Sequence, residues 1–104
     1  MSIKVYAANI DKTGQIINEL SSQAFVTVTK PSLGVYVIDY SKLNLATTPF
    51  IQLTPCQDKA KISLTSSNNK SCQVSCFLPE EGYVVINGCD LPADCAFSFD
   101  LKGR

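Results

Sequence analysis

The sequence predicts an all-β protein, an antiparallel β-sandwich of jelly-roll-like type with about eight or nine short strands. Three observations predict it. Runs of β-branched and aromatic residues recur at roughly 8–12-residue spacing with turn chemistry between them. Several runs alternate apolar and polar residues with the period of two that a half-buried strand requires. Charged residues are only 17% against 45% hydrophobic, so Ser, Thr, Asn and Gln must supply much of the surface, which suits sheets better than solvated helices.

The elements follow in order. Ile3-Lys4-Val5-Tyr6-Ala7 alternates and reads as the first strand. Asp11-Lys12-Thr13-Gly14 is a turn, and residues 15–20 return from it. A helix over residues 16–23 is the alternative there, because Ile17, Leu20 and Ala24 have helical spacing. Phe25-Val26-Thr27-Val28-Thr29 is a β-branched run that Lys30-Pro31-Ser32 breaks. Residues 33–40 resume the strand pattern, and residues 41–45 form a short helical turn. Residues 50–54 lie between Pro49 and Pro55. Residues 59–65 alternate most cleanly, with Ala60, Ile62 and Leu64 expected inward. Residues 66–70 turn, residues 71–78 alternate again, and residues 79–82 turn. Residues 83–88 and 96–101 complete the set. One hundred and four residues form one domain, residues 1–104, which buries roughly 65% of the surface its unfolded chain exposes.

Composition excludes several partners. Nine basic and nine acidic residues leave a net charge of zero, so no electrostatic footprint for nucleic acid or anionic membrane exists. No window approaches the ~18 apolar residues of a membrane-spanning helix. Met1 leads straight into the first strand without a basic, apolar leader, so the expectation is synthesis in the cytoplasm without a signal peptide. Near-zero charge also weakens self-repulsion and makes association between copies electrostatically easy.

The five cysteines are the main chemical candidates. Cys72 and Cys76 have C-x3-C spacing, but residues four apart in a strand lie ~13 Å apart, too far for one tetrahedral metal or a disulfide. With Val74 they share a strand face and read as small buried hydrophobes. Cys89 and Cys95 flank a turn and are placed to face each other across a hairpin, as a candidate disulfide. Cys56 has no evident partner. Histidine is absent and no C-x2-C pair occurs, so no metal site is expected. The absence of histidine also removes the usual general base, which leaves a small cysteine-dependent enzyme as a weak alternative to a non-enzymatic module. Glu80 and Glu81 are adjacent in a turn and read as a solvated rim. Asp90 and Asp94 straddle Pro92 and could offer oxygens to calcium, without a recognisable loop pattern. No catalytic residue and no cofactor are expected.

Aromatic residues divide into two groups. Tyr36, Ile38 and Tyr40 share one strand face, and Phe97, Phe99 and Leu101 share another, as core strands do. Tyr6, Phe50, Phe77 and Tyr83 have no assigned facing, and any that point outward would form a binding or subunit surface. Asn68 and Asn69 suit a turn and could also hydrogen-bond sugar hydroxyls. Tyr83 beside Glu80 and Glu81 is the nearest approach to an aromatic platform. These five are the candidate binding residues.

A resemblance adds to this reading. Ala8-x-Ile10, Thr13-Gly14-x-Ile16, Phe25 with the valines after it, Gly34-x-Tyr36-x-Ile38-x-Tyr40, Pro49-x-Ile51-x-Leu53-Thr54 and Phe97-x-Phe99 with Gly103 follow one another through most of the chain. In this order they resemble the C-terminal modules of bacteriophage tail fibres and of related fibre or collagen-like bacterial surface proteins. The central Gly34 to Tyr40 stretch is the most specific part. The resemblance implies a β-sandwich, often trimeric, at a virion or extracellular fibre tip, contacting host surface glycan or protein. The matched residues are strand and core residues, so it implies nothing catalytic. End loops at residues 43–48, 66–70 and 79–82 would then carry recognition. A purely structural oligomerisation or decoration protein is the second reading.

Overall fold

The computed structural model describes residues 3–19, 26–79 and 91–104. Among them are nine strands: β1 (Lys4–Ile10), β2 (Ile16–Glu19), β3 (Thr27–Ser32), β4 (Val35–Asp39), β5 (Phe50–Pro55), β6 (Lys61–Ser67), β7 (Ser71–Leu78), β8 (Leu91–Pro92) and β9 (Phe97–Gly103). They form two antiparallel sheets, ordered β2-β1-β9-β5 and β3-β4-β7-β6, with the short β8 beside the end of β7. The protein is an all-β sandwich. The jelly-roll likeness extends to this two-sheet architecture. The chain order is the molecule's own: β1–β2, β3–β4 and β6–β7 each stay within one sheet.

The core lies between the two central pairs of strands. From one side come Tyr6, Ala8 and Ile10 of β1 and Phe97, Phe99 and Leu101 of β9. From the other come Tyr36 and Ile38 of β4 and Cys72, Val74 and Cys76 of β7, and all eleven are buried. The Tyr36 and Phe97 rings meet edge to face across the sandwich with centroids 5.2 Å apart. Edge-to-face packing adds about 0.5–1.5 kcal/mol to what area burial supplies. Each buried tyrosine also satisfies its hydroxyl. Tyr36 donates to the Lys12 carbonyl at 2.6 Å, and Tyr6 to the Glu19 carboxylate at 2.9 Å.

Turn chemistry sets the strand ends. The Asp11 carboxylate accepts from the Thr13 amide, the Thr13 hydroxyl and the Gln15 amide, which closes the β1–β2 turn. Gly14 completes that turn at φ +90°, and residues 16–19 continue as strand rather than as the alternative helix. Ile16 packs on the core and Ile17 is exposed, the period of two that a helix lacks. The rest of that helical window, residues 20–23, lies outside the described residues. The expected short helical turn is present at Ser41–Leu43.

Other expectations are corrected. Residues 30–32 do not break β3, which runs through Pro31 to Ser32. Because β3 is an edge strand, proline's missing N–H interrupts no interior ladder, and the register slips between Thr29 and Ser32 instead. Leu64 lies on the core face as expected, opposite the buried Val74, yet it is 40% exposed. Its strand β6 is also an edge, so the sandwich covers it incompletely, and the register shifts only after it, between Leu64 and Ser66. Leu91-Pro92, expected within a turn, forms β8 against Phe77 and Leu78. The strand expected over residues 83–88 lies outside the described residues.

Candidate interaction surfaces

One end of the sandwich is closed by hydrogen bonds between loops. The Asn68 side-chain oxygen accepts from the Lys70 and Ser71 amides, at 2.8 and 2.9 Å, and so caps the β6–β7 turn. Its backbone carbonyl accepts the Tyr40 hydroxyl at 2.6 Å, which is also 2.9 Å from the Ser71 carbonyl. Asn69 donates its side-chain amide to the Leu45 carbonyl at 3.1 Å, tying residues 66–70 to residues 43–48. The Lys4 ammonium donates to the Leu43 carbonyl, and the Ala46 amide to the Arg104 carbonyl at 2.6 Å. Two of the three candidate loops therefore form one knitted end with the C-terminal strand. Asn68 and Asn69 thus hold that end together. Glu80, Glu81 and Tyr83, the other candidate binding residues, lie outside the described residues.

The opposite end is braced by a glycine. Gly34 turns at φ +73° between β3 and β4. Its carbonyl accepts the Cys76 amide at 2.7 Å, and its amide donates to the Asp94 carboxylate at 2.8 Å. A Cβ there would lie 2.7 Å from the Cys76 carbonyl oxygen and 2.8 Å from the Ala93 amide nitrogen. Asp94 also pairs with Lys30 at 2.8 Å. Burial works to raise the Asp94 carboxyl, but the Lys30 ammonium and the Gly34 amide outweigh it and hold the group below the ordinary carboxylate range. Asp94 is thus a brace between β3, β4 and the segment before β9, and its considered calcium partner Asp90 lies outside the described residues.

The thiols are mostly interior. Cys72, Cys76 and Cys95 are buried and free, and Cys56 is exposed and free. Burial pushes the Cys72 thiol up to about 12. It raises Cys76 and Cys95 as well, and each of these two thiols acts on the other. Such thiols are poor nucleophiles at neutral pH, because the thiolate is the reactive form. Cys95 therefore faces Cys76, and its hairpin candidate Cys89 lies outside the described residues. Among the described residues, no group of three His, Cys, Asp or Glu side chains is placed to hold a metal ion. No helix among them is long and apolar enough to cross a membrane.

The outer face of the β2-β1-β9-β5 sheet carries exposed apolar groups. Strand register sets it out in rows. Val5, Lys102 and Phe50 lie side by side in one row, and Ala7, Asp100 and Gln52 in the next. A third row holds Asn9, Ser98 and Thr54, where the Ser98 hydroxyl donates to Asn9 at 2.7 Å and lies 3.5 Å from the Cys56 sulfur. Phe50 is 84% exposed and Val5 60%. With Gln52, Asp100 and Lys102 they line an open groove along this face. The sequence left the facing of Phe50 unassigned. The available signal was phase: Val5 alternates with Tyr6, Ala8 and Ile10, and only one of those sets can face the core.

Comparison with protein-family models, with curated proteins and with solved structures finds no match.

Proposed function

We propose that this chain is a non-enzymatic binding or structural module of a virion or tail-fibre-like assembly. In this reading it associates with copies of itself and presents its knitted end to host surface glycan or protein. The observation that carries the proposal is the outer face of the β1–β9–β5 strands, where a phenylalanine and a valine stand exposed beside few charges. An exposed aromatic on a rigid sheet favours an interface over chemistry. The likeness of residues 34–40 to fibre-tip modules supports the assembly context. The low reactivity expected of three buried thiols and the lack of histidine speak against the cysteine-enzyme alternative.

Light scattering coupled to size exclusion, over a concentration series with and without reductant, tests self-association. A mass above that of one chain that ignores reductant is expected. A single-chain mass at every concentration contradicts the proposal. The end loops are tested separately on a glycan panel, where substitution of residues 66–70 should abolish binding and leave the mass unchanged. The purely structural reading is favoured by association without any glycan or surface-protein binding.

A further inference from the structure

We infer that two copies of this chain pair face to face through the outer surface of β1, β9 and β5, about a twofold axis running across the strands between the Lys102 and Asp100 rows. The inference rests on the self-association reading and names its surface and partner, a second copy. Charge complementarity selects this arrangement. Asp100 and Lys102 are exposed, two residues apart on β9, and make no ion pair among the described residues. A twofold axis running along β9 would stack Lys102 on Lys102. An axis across the strands, between the two rows, sets Lys102 of each copy opposite Asp100 of the other. The same operation sets Val5 opposite Ala7 and Phe50 opposite Gln52, so large side chains meet smaller or flatter ones in both copies. Such an interface is isologous and closes on itself, which stops growth at two.

The neighbouring rows are compatible. Across the sheet the outer positions next in line are Asn9, Asn18 and Ser98, which are neutral and small. Size sets the expected strength. Three strands ~4.8 Å apart and seven residues at ~3.3 Å give a face on the order of 330 Å² per copy, below the ~800 Å² per partner of standard interfaces. The dimer is therefore concentration-dependent rather than obligate.

Sedimentation equilibrium on the whole chain tests the inference with Lys102→Glu and with the double variant Asp100→Lys, Lys102→Glu. Both positions are exposed, and thermal unfolding of each variant confirms that the fold is intact. Lys102→Glu should weaken the dimer at least ~10-fold by opposing two carboxylates, and the double variant should restore it to within ~3-fold. Association that ignores the single reversal, or a trimer, overturns this interface and leaves the self-association reading standing. A wild-type chain that stays monomeric up to millimolar concentration overturns both.

Discussion

Single residues hold this fold at points where no other residue type fits. Gly34 combines a left-handed backbone with two backbone atoms less than 3 Å from any added Cβ. Left-handed φ costs an L-residue about 1–2 kcal/mol, and displacing packed backbone adds to it. Gly34→Ala is therefore expected to lose about 3 kcal/mol or more in denaturant unfolding. Gly14 has a similar φ, but its nearest neighbour to a new Cβ is 3.7 Å away. Gly14→Ala should cost only the backbone term, about 1–2 kcal/mol, and equal losses at the two sites would refute the crowding argument. The thiols make a second residue-scale prediction. A thiol reagent should label Cys56 in the native protein and reach Cys72, Cys76 and Cys95 only after unfolding. Rapid native labelling of any of those three, located by mass spectrometry, would show that the core opens more readily than its packing implies.

Elements show where sequence reading succeeds and where it stops. β7 was legible because residues 71–76 alternate without interruption and the strand is central, with one face on the core. The β1–β2 turn was legible because Asp11 and Gly14 each have a local reason to be there. Edge strands were less so. Pro31 reads as a stop, yet an edge tolerates it. Leu64 reads as core and does share the face of Val74, yet on the edge strand β6 it stays partly uncovered. β8 is two residues long and exists only through its pairing with β7, a partner distant in sequence. Asn68 and Asn69 were rightly read as turn residues, but the tie from Asn69 to Leu45 crosses 24 positions and has no local signature. The outer-face rows depend wholly on which strands become neighbours. Tyr40 joins two elements, since its hydroxyl reaches the Asn68 carbonyl just after β6 and the Ser71 carbonyl that begins β7. Tyr40→Phe should cost about 1–3 kcal/mol by taking the hydroxyl donor from the Asn68 carbonyl, while the Ser71 carbonyl keeps the Asn68 amide. A neutral effect in urea unfolding would mean that the β6–β7 turn does not depend on this clamp.

The whole molecule combines a tightly satisfied interior with a plain exterior, and its pH response follows. Side-chain hydrogen bonds from Thr13 to Asp11 and from Ser41 to Asp39 lower those carboxyls, and Asp94 is lowered also. A lowered carboxyl contributes stability that is present above its unfolded value, about 3.9, and is lost as pH falls through the folded value. Burial does the opposite to Tyr6, Tyr36 and Tyr40, raising all three, the last to about 12. Their contribution is complete below the unfolded value of about 10 and is lost as pH rises toward the folded values. The buried thiols begin the same loss somewhat lower. Stability should be flat from about pH 5 to 8 and fall on both sides, with tyrosinate absorbance appearing together with unfolding. Early, non-cooperative ionisation of Tyr6, Tyr36 or Tyr40, read in a Tyr83→Phe background, would contradict the burial described. Outside, the sandwich offers a broad sheet face with exposed Val5 and Phe50, where we propose that copies meet. Amide spectra of the isotopically labelled chain, recorded on dilution from millimolar to low micromolar concentration, test this most directly. Concentration-dependent shifts should gather at Val5, Ala7, Phe50, Gln52, Asp100 and Lys102. Shifts confined to the β6 edge or the knitted loops, or no shifts at all, would contradict it.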